Sequence, residues 1–234
     1  SAGVETSYAD QPVNRLVAPP RAPRPAAAPL KVAPAAAIKP AADVSRAIAE
    51  ARRAAAEAST LDELAVAIAR FDLCPLKFDG GRQSVFSRGE PAADIMVIGE
   101  APGRDEDVIG QPFVGRAGQL LDRMLTAAGL TGRVFITNTV FWRPPGNRTP
   151  TSAEQAICQP FVEKAIFLVK PQYLMLAGGA SAKAMLQREE GILTLRGRWF
   201  EWSSSDGNLT LPALPTLHPA FLLRQPAAKK KAWG

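Results

Sequence analysis

Short apolar runs and amphipathic segments alternate along most of the chain. Four apolar runs are bounded by Gly, Pro or polar residues, as is typical of buried strands, and they lie at residues 95–98, 134–140, 173–177 and 214–217. The segments between them place apolar residues at helical spacing, as in residues 116–128. Strands that alternate with helices indicate a mostly parallel sheet that is covered on both faces. The pattern therefore predicts a three-layer α/β/α sandwich with a central, mostly parallel, four-stranded sheet.

The segments outside this alternation divide into helices, extended pieces and an N-terminal tail. Residues 41–58 are strongly helix-forming, and Thr60 with Glu63 forms a capping box that begins the next helix. Residues 84–89 predict a short edge strand, and residues 195–202 predict one arm of a hairpin. Residues 1–40 are rich in Ala and Pro and cannot bury a core, so we expect a disordered, passive tail. Residues 41–234 then form a single domain.

The composition narrows the range of partners and compartments. The net charge is +6, which suits either simple solubility or a polyanionic partner such as nucleic acid. Two cysteines in 234 residues fit a reducing compartment and no disulfide framework. The chain has no run of about 18 apolar residues and no compact apolar core of a secretory signal. We therefore expect a cytoplasmic, nucleoid-associated monomer that does not bind membranes.

One stretch, residues 94–113, concentrates the candidate chemistry. It reads DIMVIGEAPGRDEDVIGQPF, so an apolar strand ends at Gly99 and is followed by a Gly/Pro turn and an acidic cluster. Parallel sheets bind ligands outside the carboxyl ends of their strands. We therefore expect residues 100–113 to line a site that offers carboxylates for chemistry and an aromatic ring for stacking.

Three ordered motifs resemble those of the family 4 uracil-DNA glycosylases. GEAPG with RDED and QPFVGRAGQLLD is similar to the first motif, and HPAFLLRQP (residues 218–226) is similar to the second. Between them, ITNTVFWRPPGNRTPT resembles the central segment of the family. The similarity runs from about residue 60 to the C-terminus, and three motifs in order are far more specific than one.

The resemblance implies hydrolysis of the N-glycosidic bond of a flipped deoxyuridine, which releases uracil and leaves an abasic site in DNA. His218, the single histidine, is then expected to donate a hydrogen bond to uracil O2. Glu100 is expected to orient water or stabilise the sugar cation, and Glu106 to contact the base or the nearby pocket wall. The sequence does not decide which of these two carboxylates contributes more to catalysis. Asp107 is expected to organise the loop.

The pocket residues follow from the same resemblance and from base chemistry. Flipped bases are read by stacking and by hydrogen bonds to the Watson–Crick edge. Phe113 is expected to stack on uracil, and the Asn138 amide to donate to O4 and accept from N3–H. Gly99 and Ala101 belong to the Gly-rich turn, whose backbone N–H groups are natural donors to the leaving base.

Basic and small polar residues in the surrounding loops are candidates for DNA contacts. We expect phosphate contacts from Arg143, Arg148 and Arg224, and from Ser181 at a helix N-terminus. Leu222 or a neighbour is a candidate wedge into the duplex.

The chain departs from the family at the cluster ligands. Family 4 enzymes typically hold a four-iron, four-sulfur cluster on four cysteines, but Phe71 and Trp142 occupy two of the matching positions here. Only Cys74 and Cys158 remain, which is too few for that site. We predict no cluster and no other metal or cofactor, with the two thiols close together but unbonded and the two aromatic rings filling the volume.

Two alternatives to a uracil-DNA glycosylase remain open at this point. They are a glycosylase for another deaminated or alkylated base and a DNA-damage-binding module without catalytic activity. A nucleotide-binding α/β domain is not supported, because the chain contains neither G-x-G-x-x-G nor a Walker lysine loop.

Overall fold

Among the residues that the structure describes, six strands form one sheet. The computed structural model describes residues 41–230, except for the side chains of residues 41 and 42. The strands are β1 (Ser87–Gly89), β2 (Ile95–Gly99), β3 (Val134–Asn138), β4 (Tyr173–Ala177), β5 (Phe200–Ser203) and β6 (Thr210–Thr216). Their order across the sheet is β1-β3-β2-β4-β6-β5. The expectation for residues 1–40 lies outside the described residues.

The four central strands are parallel, and each edge strand is antiparallel to its neighbour. β2 pairs with β3 and β4, and β4 pairs with β6, all in parallel. β1 runs antiparallel to β3, and β5 runs antiparallel to β6. The predicted sheet of four strands is therefore the centre of a six-stranded sheet. The two additional strands come from the predicted edge strand and hairpin arm.

Two boundaries differ from the sequence pattern. Residues 192–195 form a helical turn, so β5 begins only at Phe200. β6 begins at Thr210 instead of residue 214, and Pro212 lies opposite Glu201 in the ladder with β5. Proline lacks a backbone N–H and normally argues against a strand, which explains the late predicted start.

Nine helices surround the sheet within residues 41–230. They are α1 (Ala41–Glu57), α2 (Leu61–Arg70), α3 (Leu76–Asp79), α4 (Arg104–Ile109), α5 (Arg116–Ala127), α6 (Ser152–Val169), α7 (Gly179–Leu186), α8 (Ile192–Leu195) and α9 (Pro219–Arg224). Short 3-10 turns lie at Pro145–Asn147 and Pro226–Lys229. No helix among these residues is long and apolar enough to cross a membrane.

The strand residues alternate between two apolar cores, which produces the three layers. Met96 and Ile98 of β2 belong to one core, together with buried residues of α1, α2 and α6. Val97 points to the other face, where it packs with Leu121 and Leu125 of α5. Successive side chains of a strand point to opposite faces, so a strand that is buried on both faces reads as a continuous apolar run. The predicted α/β/α sandwich is confirmed.

Candidate active site

The carboxyl ends of the central strands meet at one cavity of about 340 Å³. β2 ends at Gly99, β3 ends at Asn138, and β6 is followed after one residue by His218. The cavity is lined by residues from the loops and helices that follow these strands, namely Glu100, Ala101, Pro102, Gly103, Glu106, Phe113, Ala117, Pro144, Asn147, Arg148, His218, Ala220 and Arg224. The structure therefore brings most of the predicted site residues together at the edge of the sheet that the topology favours for ligands.

Phe113 and His218 face each other inside this cavity. Their ring centroids lie 5.7 Å apart and the ring planes differ by 28°. Phe113 is buried and joins the apolar core beneath α5, which restricts the movement of its ring. The cavity thus has an aromatic wall next to an imidazole.

Asn138 lies at the end of β3 and is 1% exposed. Neither its Oδ1 nor its Nδ2 has a hydrogen-bond partner among residues 41–230. A buried polar atom without a partner costs about 1–3 kcal/mol. The Asn138 amide therefore has one donor group and one acceptor atom that no described residue satisfies.

Gly99 allows the Asn138 amide and the Phe113 ring to approach each other. A Cβ atom at Gly99 would collide with Asn138 Oδ1 and would lie 2.5 Å from Phe113 Cζ. No side chain fits at this point without displacing the amide or the ring. Gly99 therefore shapes the cavity floor in addition to ending β2.

His218 is held as a neutral imidazole in a defined tautomer. Its Nδ1 accepts a hydrogen bond from the Ala220 backbone N–H at 3.1 Å, so the proton of the neutral ring is on Nε2. Burial, and to a smaller extent the positive charge of Arg224, lowers the pKa of His218 to about 4 against the opposing effect of Glu106. At neutral pH the ring therefore has one N–H to donate from Nε2.

The two candidate carboxylates have different surroundings. Glu106 Oε1 accepts hydrogen bonds from Val114 N (3.0 Å) and Gly115 N (2.9 Å), and Oε2 accepts one from Gly103 N (3.1 Å). No hydrogen bond to the Glu100 carboxylate is present within residues 41–230. Glu106 therefore connects the loop before α4 to the loop before α5, and Glu100 is the carboxylate whose oxygens remain available to a ligand.

Asp107 lies within α4 and contacts a segment far from it in the sequence. Its side chain is 2% exposed, and Oδ1 accepts a hydrogen bond from the Arg82 backbone N–H at 2.7 Å. This contact connects the start of α4 to the segment that leads into β1.

The three predicted phosphate-binding arginines are placed differently. Arg148 lines the cavity and forms a two-point ion pair with Glu154, at 2.8 and 2.7 Å. Burial alone would raise the pKa of Glu154, but hydrogen bonds from Arg148 and Thr151 outweigh it and lower that pKa. Arg143 does not line the cavity, and its Nε donates to Asn147 Oδ1 at 2.6 Å. Arg224 lines the cavity and is exposed.

Two predicted DNA contacts are corrected by burial. The Ser181 side chain is fully buried, and its hydroxyl donates to the Ile98 carbonyl at 2.6 Å, so it does not reach a phosphate. Leu222 is 1% exposed and packs with Leu120, Leu217 and Ala228, so this residue is not available as a wedge, and the prediction remains only for a neighbour. In both cases the sequence suggested an exposed side chain, whereas the structure buries it in the protein interior.

Some cavity residues were not singled out from the sequence. Asn147 and Pro144 belong to the recognised PPGN loop, and Ala117 and Ala220 lie at the starts of α5 and α9. Only their positions next to motifs could have marked these residues in the sequence, because their residue types are not chemically distinctive.

Comparison with known proteins agrees with this geometry. The family model for the uracil DNA glycosylase superfamily matches residues 86–234, which include the cavity. The chain belongs to the uracil-DNA glycosylase superfamily.

Several relatives in this superfamily are named Type-4 uracil-DNA glycosylase. The protein from Pyrobaculum aerophilum is 39% identical over 175 residues, which cover 72% of this chain and 87% of the relative. The protein from Saccharolobus solfataricus is 37% identical over 177 residues, covering 73% and 80%. The protein from Thermotoga maritima is 36% identical over 153 residues, covering 64% and 77%.

The cluster that the family 4 resemblance implies does not fit the residues of this superfamily member. Cys74 and Cys158 are both buried and unbonded, with their sulfur atoms 3.9 Å apart, as predicted. Phe71 packs edge-on against Phe161 at 5.2 Å between centroids, and Trp142 is 1% exposed. Within residues 41–230, no three His, Cys, Asp or Glu side chains are grouped to hold a metal ion. The volume is filled by aromatic packing, and two thiols are too few for a four-cysteine cluster.

Proposed function

We propose that this protein is a monofunctional uracil-DNA glycosylase, which hydrolyses the N-glycosidic bond of a flipped deoxyuridine and leaves an abasic site. The observation that carries the proposal is the buried amide of Asn138, which has no partner among the described residues. Uracil offers an acceptor at O4 and a donor at N3–H, which pair with the two ends of this amide. The family membership and the names of the relatives support the same reaction.

The amide also explains discrimination against cytosine. Cytosine has a donor at N4 and an acceptor at N3, which is the reverse of the uracil pattern. With Asn138 held in one orientation, cytosine would leave buried polar groups unpaired, at about 1–3 kcal/mol each. The Phe113 ring supplies the stacking surface for the base in this arrangement.

The leaving base requires stabilisation of a developing anion. Breaking the bond between C1′ and N1 produces an oxocarbenium-like sugar and a uracil anion. Nε2–H of His218 donates to O2, where negative charge accumulates, and the neutral ring keeps this donor without protonating the base. The backbone N–H groups of the turn from Gly99 to Ala101 add donors at the same strand end.

The sugar cation and the attacking water need a carboxylate. We assign this role to Glu100, because its oxygens lack partners among the described residues and it lines the cavity. Glu106 contributes indirectly, since both of its oxygens bind backbone N–H groups that shape the pocket. No metal or other cofactor takes part in this scheme.

Uracil-containing DNA is the proposed partner. Arg224 at the cavity contributes positive charge to the path of the phosphate backbone. Arg148 lines the same cavity with its charge offset by Glu154, and Arg143 belongs to the loop beside it. The net charge of +6 supports the same partner. We further propose that the enzyme acts as a monomer in the cytoplasm, in association with the nucleoid.

A strand-scission assay tests the reaction class. Oligonucleotides carrying uracil, hypoxanthine or an alkylated base, in single and double strands, are incubated with the protein and treated with alkali. We expect scission at uracil by the wild type and a strong loss in His218→Ala. Scission at another base alone would assign a different glycosylase activity. Binding to abasic DNA without any scission would assign a damage-binding module.

A further inference from the structure

Phe113 has an unusual backbone for a bulky residue. Its φ is 55°, in the left-handed region that side chains other than glycine rarely adopt. This conformation places the ring in the cavity beside His218. Such a residue keeps its conformation only when surrounding groups determine it from several sides.

Arg88 on the edge strand β1 holds both peptide groups that flank Phe113. Its Nε donates to the Pro112 carbonyl at 2.8 Å, and its Nη2 donates to the Phe113 carbonyl at 3.1 Å. Nη2 also pairs with Asp122 of α5 at 2.7 Å. The guanidinium is planar and carries several donors in fixed directions, so it can satisfy three acceptors at once.

Two other elements fix the same short segment. Glu106 accepts hydrogen bonds from the backbone N–H groups of the next two residues, Val114 and Gly115. Gly118 of α5 lies directly against the Phe113 carbonyl, where a Cβ atom would overlap it. Arg88 therefore holds the carbonyl groups of residues 112 and 113, and Glu106 holds the N–H groups of the two residues that follow.

We propose that Arg88 is a positioning residue that sets the Phe113 ring for stacking on the base, an inference that rests on the proposed function of this cavity. Arg88 does not line the cavity, and its side chain is 21% exposed beside Asp122. It therefore acts through Phe113 without touching the substrate. A lysine at this position is a single point donor and cannot hold both carbonyls and Asp122 together.

A double-mutant cycle with Phe113 tests the route of action. Arg88→Met is expected to lower the single-turnover rate of uracil release on the order of tenfold to hundredfold, since small displacements in an active site have effects of this size. Arg88→Lys is expected to lie between the wild type and Arg88→Met. In a Phe113→Ala background, Arg88→Met should have little further effect, because residues that act through one another are not additive.

Arg133→Met is the matched control for this cycle. Arg133 forms a comparable ion pair with Asp94, at 3.0 Å, near the other ends of β2 and β3. We expect its uracil release to equal that of the wild type. Fully additive losses in Arg88→Met and Phe113→Ala would overturn the proposal.

A second readout does not depend on catalysis. The chain has a single histidine, so its imidazole proton resonances are unambiguous in NMR spectra. These signals report the Phe113 ring current, because the two rings lie 5.7 Å apart. We expect Arg88→Met to shift them in the same direction as Phe113→Ala, and Arg133→Met to leave them unchanged.

The two readouts separate this inference from the proposed function. A wild type that does not release uracil would remove the proposed function, while the imidazole shifts would still report whether Arg88 positions Phe113. Wild-type imidazole shifts in Arg88→Met would overturn the positioning role. If Arg88→Met does not fold, Arg88→Lys is measured in both experiments with the same criteria.

Discussion

At the scale of single residues, the site depends on a histidine that stays neutral. Burial and the nearby Arg224 lower the pKa of His218 to about 4, from an ordinary value of 6.5. The unfolded chain therefore binds a proton near pH 6.5, whereas the folded protein binds it only near pH 4. The contribution of His218 to the free energy of unfolding is consequently greatest above pH 6.5 and falls as the pH decreases through this window.

An NMR titration of the imidazole resonances checks this prediction. We expect the signals to stay near their neutral positions from pH 8 to about 5 and to titrate with a midpoint near pH 4, because burial disfavours the charged ring. A midpoint near 6.5 would contradict the burial of a neutral ring. The absence of other histidines makes the assignment unambiguous.

A single methyl group at Gly99 tests the shape of the cavity floor. Gly99→Ala places a Cβ against the Asn138 amide and the Phe113 ring. We expect the rate of uracil release to fall on the order of a hundredfold, because the amide and the ring would be displaced. Overpacking should also lower the free energy of unfolding by about 1–3 kcal/mol. Gly191→Ala is the control, since its Cβ would meet nothing within 4 Å and its φ is −69°. Unchanged activity in Gly99→Ala would show that the floor is adaptable.

At the scale of elements, the start of α6 anchors one wall of the cavity. Thr151 Oγ1 accepts a hydrogen bond from Glu154 N at 3.2 Å, and Glu154 Oε2 accepts one from Thr151 N at 2.8 Å, which together form a capping box. The same carboxylate holds Arg148 in the cavity wall. One side chain therefore both begins a helix and positions a cation.

Glu154→Gln tests this double role. We expect the free energy of unfolding at neutral pH to fall by about 1–3 kcal/mol, because charge-assisted hydrogen bonds to Arg148 are lost. The lowered pKa of Glu154 means that its ionised form stabilises the fold above the ordinary carboxyl pKa, and this contribution disappears as the pH falls through the lowered value.

The control for this prediction is Glu50→Gln. Glu50 forms an exposed ion pair with Arg53 of the same helix at 2.6 Å, which should contribute less than about 0.5 kcal/mol. Urea unfolding of both variants gives the comparison. Equal losses of unfolding free energy in the two variants would mean that the cap and the ion pair of Glu154 contribute no more than an exposed ion pair.

The sequence predicted the helices and strands that are marked by a pattern of neighbouring residues. The central strands are continuous apolar runs because they are buried on both faces, and the helix caps follow from residues three apart. The edge strands β1 and β5 have three and four residues, so they carry little periodic signal. Their inclusion in the sheet follows from pairing with β3 and β6, which a local pattern does not show.

The candidate site was predictable to the extent that motifs mark strand ends. The positions of the motifs predicted that four residues lie near one another, namely Glu100, Phe113, Asn138 and His218. The motifs did not predict how these side chains are oriented. The roles of Glu106 and Ser181 are determined by hydrogen bonds to residues distant in sequence or to buried carbonyls. Arg88 lies 25 residues before Phe113 and belongs to no recognised motif.

At the scale of the whole molecule, aromatic rings pack around the two thiols in one buried core. Phe71, Trp142 and Phe161 belong to the same buried core as Cys74 and Cys158. Burial raises the pKa of the Cys158 thiol, so this thiol stays protonated at neutral pH. We therefore predict that aromatic and aliphatic side chains fill the space around the two thiols without an inorganic group.

Removal of both thiols tests this view of the core. The Cys74→Ala/Cys158→Ala variant is expected to release uracil at a rate within about twofold of the wild type, with a modest stability loss from two small cavities. Elemental analysis of the wild-type protein is expected to find no stoichiometric iron. Bound iron that is lost in the variant together with activity would contradict the account.

The central claim is that the buried Asn138 amide reads uracil. The most direct measurement is the single-turnover release of uracil from DNA by the wild type, Asn138→Ala and Asn208→Ala. Asn208 is an exposed asparagine in the turn between β5 and β6, so it controls for the substitution itself. We predict a loss on the order of a hundredfold or more in Asn138→Ala and none in Asn208→Ala. Equal rates in all three proteins would contradict the account.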